Sequence, residues 1–244
     1  MASLPTKHEL EFLSKEQVAE DAYSFFFQRT PDIDFTAGQF MRLALNLPEP
    51  SEKGNGRFFS IASSPTEKDH LMITVRTSSQ IYKKTLLNLK KYEKVQITLP
   101  FGAFTLSSDD KITHVFLAGG IGITPFRSMV RYAFDSKLKI PIVLFTSFKR
   151  VEDIVFQKEF RDIAANNNWF QLIETITQPK ESKINWTGNV GRIDEKIIQK
   201  YVTDLTSAIF YIAGPPLMVD AMKNMVTNIG VDANRIRIEK FTGY

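Results

Sequence analysis

At about residue 107 the hydrophobic rhythm of this 244-residue chain changes, and that change constrains the fold more than any single motif does. Before it, apolar residues recur with period two in short segments separated by turn residues: HELEFLS, AYSFFFQ, GQFMRLAL, RFFSIAS, HLMITVR and KVQITL. Many short strands at close spacing predict a small antiparallel barrel, with IYKKTLLNLKKY (81–92) as one helical break. After it, the apolar strands HVFLAG, PIVLFTSF, FQLIETIT and AIFYIAG alternate with helical segments beginning near Thr124, Asp153, Asp194 and Pro216. That alternation predicts a parallel sheet with helices on its faces. The boundary falls in TLSSDDK (105–111), giving residues 1–107 as an all-β antiparallel barrel domain and 108–244 as an α/β domain. A hydrophobic content of 43% over this length is enough for two cores.

The chain has no cysteine, which removes disulfides, thiolate nucleophiles and cysteine-ligated iron–sulfur clusters together. Redox chemistry would therefore come from a bound organic cofactor or a partner. His8, His70 and His114 are scattered, and no metal site is expected. No run approaches the ~20 apolar residues of a membrane helix, and the opening segment lacks a basic n-region and an apolar h-region. The expectation is a soluble, cytoplasmic protein. A net charge of +4 favours an acidic partner protein or a phosphate-bearing cofactor, and nothing points to nucleic acid.

HVFLAGGIGITPFRSM runs from strand through glycines into helix. Gly119, Gly120 and Gly122 let the backbone turn tightly and approach a ligand, Thr124 is placed to cap the helix, and Pro125 suits its first turn. Backbone N–H groups and the positive helix end would then face an anion such as a pyrophosphate. FYIAGPPLMVDAM repeats the theme: a strand leaves through Gly214 into a helix opened by Pro215 and Pro216, with Met218 beside the turn. Two such strand ends would share one crevice at the carboxyl edge of the sheet. A third, LFTSFKRVED, offers Ser147, Lys149 and Arg150 before a helix that Asp153 is placed to cap. Basic groups there tilt the choice between NADP and NAD toward NADP.

In the first half, GRFFSIASSP sets an arginine and a serine on either side of two aromatics. RFFSIASSP, GGIGITPFRSM and YIAGPPLMVDAM, in this order and with these separations, resemble the ferredoxin–NADP⁺ reductase superfamily of flavoprotein oxidoreductases. AGQF (37–40), LPFGAFTL (99–106) and the terminal FTGY also fit, so the likeness covers nearly the whole chain from about residue 8. It implies a barrel holding a flavin, FAD rather than FMN, and an α/β domain for NADP or NAD. The family's Arg-x-Tyr-Ser motif falls on Arg57, Phe58, Phe59 and Ser60. Arg57 would neutralise the flavin pyrophosphate, Phe59 would pack on the ring system without the usual tyrosine hydroxyl, and Ser60 would hydrogen-bond near the hydride-accepting N5. Phe58 is expected to be plain core packing.

The resemblance also implies a flavin site completed by Ile61, Val75, Arg76 and the stretch Tyr82, Lys83, Lys84 and Thr85, with Lys84 where relatives carry a hydroxyl. Tyr244 matches the terminal aromatic that stacks on the flavin of plant-type members and yields to nicotinamide. Ala213 stands where many relatives have a cysteine. The implied activity is hydride transfer from NAD(P)H to the flavin, with Ser60 and Tyr244 as the residues of kinetic effect. Electrons would then pass to a separate acceptor: an acidic carrier protein such as a ferredoxin, an oxygenase component or a small molecule. A non-catalytic flavin- and nucleotide-binding sensor or complex component is the alternative, favoured by Phe59 and Ala213.

Overall fold

The structure, a computed structural model, describes residues 4–107, 109 and 111–242; Tyr244 lies outside them. The first half forms β1 (Thr6–Ala19), β2 (Ala22–Gln28), β3 (Phe40–Ala44), β4 (Gly56–Ser60), β5 (His70–Arg76) and β6 (Lys94–Phe101). They pair in the order β4-β3-β6-β1-β2-β5, and every pairing is antiparallel. The two edges curl together just past β4, where Ala62 N–H donates to Met72 O at 2.7 Å and Met72 N–H to Ser63 Oγ at 3.0 Å. Phe25, Phe27, Met41, Leu43, Ile61, Leu71, Ile73 and Ile97 fill the interior. The helix predicted over 81–92 is shorter, α1 (Ile81–Leu87), because the chain turns away and Tyr92 takes a left-handed φ of 69°.

The second half forms β7 (His114–Gly119), α2 (Thr124–Asp135), β8 (Ile142–Phe148), α3 (Gln157–Asn166), β9 (Phe170–Ile176), β10 (Asn189–Val190), α4 (Glu195–Tyr201), β11 (Ile209–Gly214), α5 (Pro216–Asn228) and β12 (Ile236–Lys240). This sheet is parallel throughout, in the order β10-β9-β8-β7-β11-β12. Alternate residues of β7 enter opposite cores, Phe116 and Ala118 on one face, Val115 and Leu117 on the other. Burial on both faces is why its sequence reads as an unbroken apolar run. The strand order reverses between β7 and β11, so their carboxyl ends flank a topological switch point, the usual ligand crevice of open α/β sheets.

Two expectations fail locally. The third helical segment starts at Gln157 rather than near Asp153, since Val151–Asp153 is one 3-10 turn and Phe156 then adopts φ 61°. Asp153 accordingly accepts from Arg150 N–H at 3.2 Å and caps that turn, not a helix. The two-residue strand β10 went unforeseen because it is too short to show a period. Among the described residues no helix is long and apolar enough to cross a membrane.

Candidate functional site

A cleft of about 660 Å³ lies between the barrel and the carboxyl edge of the parallel sheet. Strand β4 forms one wall, and strand alternation gives its side chains two destinations. Arg57 and Phe59 converge on Tyr82 of α1: the guanidinium carbon lies 4.9 Å from the Tyr82 ring centroid, and the Phe59 and Tyr82 rings are 6.1 Å apart at 30°. Tyr82 is anchored by donating its hydroxyl to Leu43 O at 2.8 Å, and burial pushes its phenol pKa up.

Arg57 Nη1 donates to the carbonyls of Lys53, Gly54 and Gly56 at 2.9, 3.0 and 2.7 Å, and Nη2 to Ser51 Oγ at 3.4 Å. These partners are neutral, so the loop orients the guanidinium and leaves its charge uncancelled at the cleft wall. None of these bonds uses Nε.

Phe58 takes the other face and is not core packing: 60% of it is exposed. It stands edge-on, at 5.6 Å, to both Phe40 and Phe101, which stack on each other at 5.7 Å. The three rings form an aromatic shelf on the cleft wall.

Ser60, at the end of β4, meets the other half of the molecule. Its Oγ donates to Glu239 Oε2 at 3.3 Å, across 179 positions of sequence. Desolvation pushes the Glu239 carboxyl up to about 7, with the Ser60 hydrogen bond acting in the opposite sense. Glu239 sits on β12 opposite Ala213 of β11, so parallel pairing carries it to the switch point. Beyond it Phe241 N–H donates to Gly214 O at 2.9 Å, and Phe241 also lines the cleft. Sequence reading missed Glu239 and Phe241, because nothing in the sequence fixes the register of β12 against β11.

Arg57, Phe59, Ser60, Val75, Arg76, Tyr82 and Lys83 line the cleft, as do Thr124 and Ile121 from the glycine turn. Three residues assigned to the flavin do not. Ile61 is fully buried behind the strand, Lys84 is exposed one helical step past Lys83, and Thr85 Oγ1 donates back to Ile81 O at 2.9 Å. Arg76 is tied to Asp21 and donates to Asp153 O at 3.2 Å, bridging the barrel to the loop after β8.

The glycine turn is built differently from the expectation. Gly120–Ile123 is a 3-10 turn, and Thr124 is the first residue of α2; it is not a cap, and its hydroxyl donates to Ile121 O at 3.1 Å. A Cβ on Gly122 would collide with Ala213 O, and one on Gly119 or Gly214 with Met218. Those three glycines let the β7 and β11 turns touch each other. Gly120 alone of the four has open space beside it, at φ 53°. Pro215 and Pro216 open α5 as expected.

At the end of β8 Ser147 is half-buried, and just after the strand Lys149 is exposed. Arg150 is enclosed by carboxylates: Nη2 lies 3.0 Å from Glu20 Oε2 and 2.8 Å from Asp153 Oδ1, and Nη1 lies 3.7 Å from Glu152 Oε1.

A family model, the oxidoreductase NAD-binding domain, matches residues 116–224. Among curated proteins, the chain is 29% identical over 205 residues to one component of the Na(+)-translocating NADH-quinone reductase of Methylococcus capsulatus, covering 77% of this chain and 49% of that protein. It is 31% identical over 202 residues to the same component of the Pseudomonas aeruginosa reductase, covering 80% and 47%. The chain thus spans about half the length of the curated relatives it matches. Among solved structures, it is similar to a cytochrome P450 reductase of Amycolatopsis, with TM-score 0.85, 22% identity and coverage of 98% of this chain and 71% of that one. A ferredoxin NADP⁺ reductase of Neisseria gonorrhoeae, with bound FAD and NADP, gives TM-score 0.80 at 19% identity, covering 96% and 98%. The antiparallel barrel joined to a parallel sheet is thus the fold that this chain shares with these solved structures, and residues 116–224 within it match the oxidoreductase NAD-binding domain.

Proposed function

We propose that this chain oxidises NADH with an FAD held in the cleft and passes the electrons to a separate acceptor, residues 1–107 binding the flavin and 108–244 the nicotinamide nucleotide. The observation that carries this reading is the meeting of Ser60 and Glu239 in the cleft that also holds Arg57 and the first turn of α2. The donor set suits a flavin dinucleotide: Arg57 and Lys53 as cations for phosphate, the Phe59 and Tyr82 rings as flat apolar surface, and the Ser60 hydroxyl. FAD is bound in the Neisseria relative, which favours the dinucleotide.

When bound, a flavin supplies a ring that accepts hydride and releases electrons. The chain's own residues hold the proton inventory beside it. With Glu239 protonated, its carboxyl can donate to Ser60 Oγ, which frees the Ser60 hydrogen to point into the cleft. With Glu239 ionised, the carboxylate accepts that hydrogen and withdraws it. Arg57 supplies the counter-charge for phosphate, and Phe241 covers one side of the cleft.

NADH is favoured over NADPH by the carboxylates that surround Arg150, since a 2′-phosphate would have to displace them. The matching curated relatives are named as parts of NADH-quinone reductases, in the same sense. An acidic carrier protein suits the acceptor role: the Phe58, Phe40 and Phe101 shelf lies beside Arg42 and Lys53. The reading carries with it a cytoplasmic setting.

The test is to purify the protein, release and identify its flavin, and add NADH or NADPH without oxygen. Bleaching of the visible flavin band by NADH at the higher kcat/KM is expected. A protein that binds no flavin, or that stays yellow with both nucleotides, overturns the reading, the second outcome making it a binding module.

A further inference from the structure

One arginine joins three segments of the site without lining the cleft. Arg127, on the first turns of α2, is buried between the domains. Its Nη1 donates to Ala62 O at 2.8 Å and to Glu67 Oε2 at 2.9 Å, Nη2 to Glu67 Oε1 at 3.1 Å, and Nε to Glu159 Oε2 at 2.8 Å. The next residue repeats the grip, Ser128 Oγ donating to Ser63 O at 2.8 Å. Ala62 and Ser63 lie just past Ser60 in the chain, so the helix that opens at the glycine turn holds the end of the flavin-side strand by two consecutive carbonyls.

Both ends of this connection are stiff. On the barrel side, Ser64 N–H donates to Glu67 Oε2 at 2.6 Å, and Arg29 Nη1 holds the carbonyls of Pro65 and Glu67, each at 3.0 Å. On the sheet side, Glu159 comes from α3, and Phe156 places its ring 5.4 Å from the Arg127 guanidinium carbon. Phe156 does this at φ 61°, a left-handed conformation that a bulky side chain adopts only when its surroundings impose it. Burial alone would lower the arginine's pKa, but the hydrogen bonds and charges of Glu67 and Glu159 outweigh it and hold the guanidinium ionised. A bidentate, planar cation is the one side chain that can satisfy a carbonyl and two carboxylates in fixed directions.

We propose that Arg127 is a positioning residue for the hydride transfer proposed above: it fixes the strand end that carries Ser60 against the glycine turn and β12, so that the two halves of the cleft stay aligned. Its side chain touches neither cofactor nor substrate. Its effect is on distance, and reactions between two bound rings are steep in distance, a displacement of about 1 Å costing on the order of 100-fold in rate.

The proposal rests on the functional reading for its kinetic arm only. In Arg127→Met, flavin content and secondary structure should stay near those of the unaltered protein, while the limiting rate of flavin reduction at saturating NADH falls roughly 10- to 100-fold. KM should change less than kcat, and direct reduction by dithionite, which needs no nucleotide site, should keep its rate. Arg127→Lys should fall between, and free guanidinium should restore part of the Arg127→Ala rate.

The second readout needs no flavin. In the unloaded protein with carbon-13-labelled glutamate, the Glu239 carboxyl should titrate near 7, and in Arg127→Met the midpoint should drop toward that of an ordinary carboxylate as water enters a loosened cleft. If the folded Met variant reduces its flavin at the original limiting rate, or slows equally with dithionite, the positioning role is wrong. An unmoved Glu239 midpoint overturns it too. Should Arg127→Met not fold, the same criteria apply to Arg127→Lys. A protein whose flavin neither nucleotide reduces defeats the functional reading, and the titration still decides on Arg127.

Discussion

Arg57 and Arg150 are the two arginines that the sequence marks as phosphate readers, one in each half of the chain, and their surroundings are opposite. Arg57 is held by three main-chain carbonyls and a hydroxyl, all neutral, so it brings a whole positive charge to the cleft wall. Arg150 is held by the carboxylates of Glu20, Glu152 and Asp153, which satisfy its charge. The same side chain thus keeps an open charge in one place and is a strap in the other, because Glu20 belongs to the turn after β1 and its bond to Arg150 joins barrel to sheet. The sequence displays the arginine, but the partners that decide its use come from elsewhere in the chain.

The largest effect should follow loss of the uncancelled charge. Arg57→Gln is expected to weaken flavin binding by roughly 10- to 100-fold, the range given by ~1.5–3 kcal/mol for hydrogen bonds to a charged group. Equilibrium dialysis of flavin against the unloaded variant measures it directly. An affinity within about threefold of the original would remove Arg57 from the flavin site and with it the contrast to Arg150.

Next in size is a pH effect at the point where the two sides meet. Glu239 titrates near 7 in the folded chain and in the ordinary carboxylate range when unfolded. Between those two values the unfolded chain holds fewer protons, so stability falls as pH rises from the lower to the higher and levels off above about 7. The reduction rate should fall across the same upper midpoint, as the ionised carboxylate draws the Ser60 hydrogen away from the cleft. Glu239→Gln should flatten both profiles while leaving flavin in place. A rate step near neutral pH that survives in this variant would assign the titration to another group.

The barrel was legible because period two survives in short strands, and the parallel sheet because both-face burial writes continuous apolar runs. HVFLAG is β7 residue for residue. The glycines were legible as a turn but not as packing, since Gly122 meets Ala213 only after β7 and β11 become neighbours. Ser60 was visible and Glu239 was not, for their contact joins residues 179 positions apart through a strand register that local pattern does not encode. Phe58 and Phe59 are alike in sequence, and only the direction of alternation on β4 sends one to the rim and the other toward Tyr82. The late start of α3 escaped prediction because Asp153 has the form of a helix cap, and nothing local marks Ile154 as extended or Phe156 as left-handed.

Phe59 offers a smaller test of the Arg57 side. Phe59→Tyr supplies the hydroxyl of the Arg-x-Tyr-Ser motif that this segment resembles, and a single added hydrogen bond is worth about 1 kcal/mol, or roughly fivefold in flavin affinity. The ring is half-buried against Tyr82, so the hydroxyl must find room as well as a partner. A several-fold loss in affinity would mean that the cleft is shaped around phenylalanine.

The smallest expected change concerns Arg150 and bears most directly on the comparison. If its charge is already satisfied by carboxylates, Arg150→Gln should leave the ratio of kcat/KM for NADH and NADPH within about twofold of the original, because no nucleotide contact is lost. It should instead lower Tm by about 2–4 °C for each ~1 kcal/mol of stability removed with the strap. Asp153 is the reason to expect any loss, being buried and bonded to both Arg150 and Arg76; the exposed pair with Glu20 contributes little. A fall in NADPH use of tenfold or more, with NADH unaffected, would show Arg150 leaving its carboxylates to bind a 2′-phosphate, and the two arginines would then be alike in function despite their opposite settings.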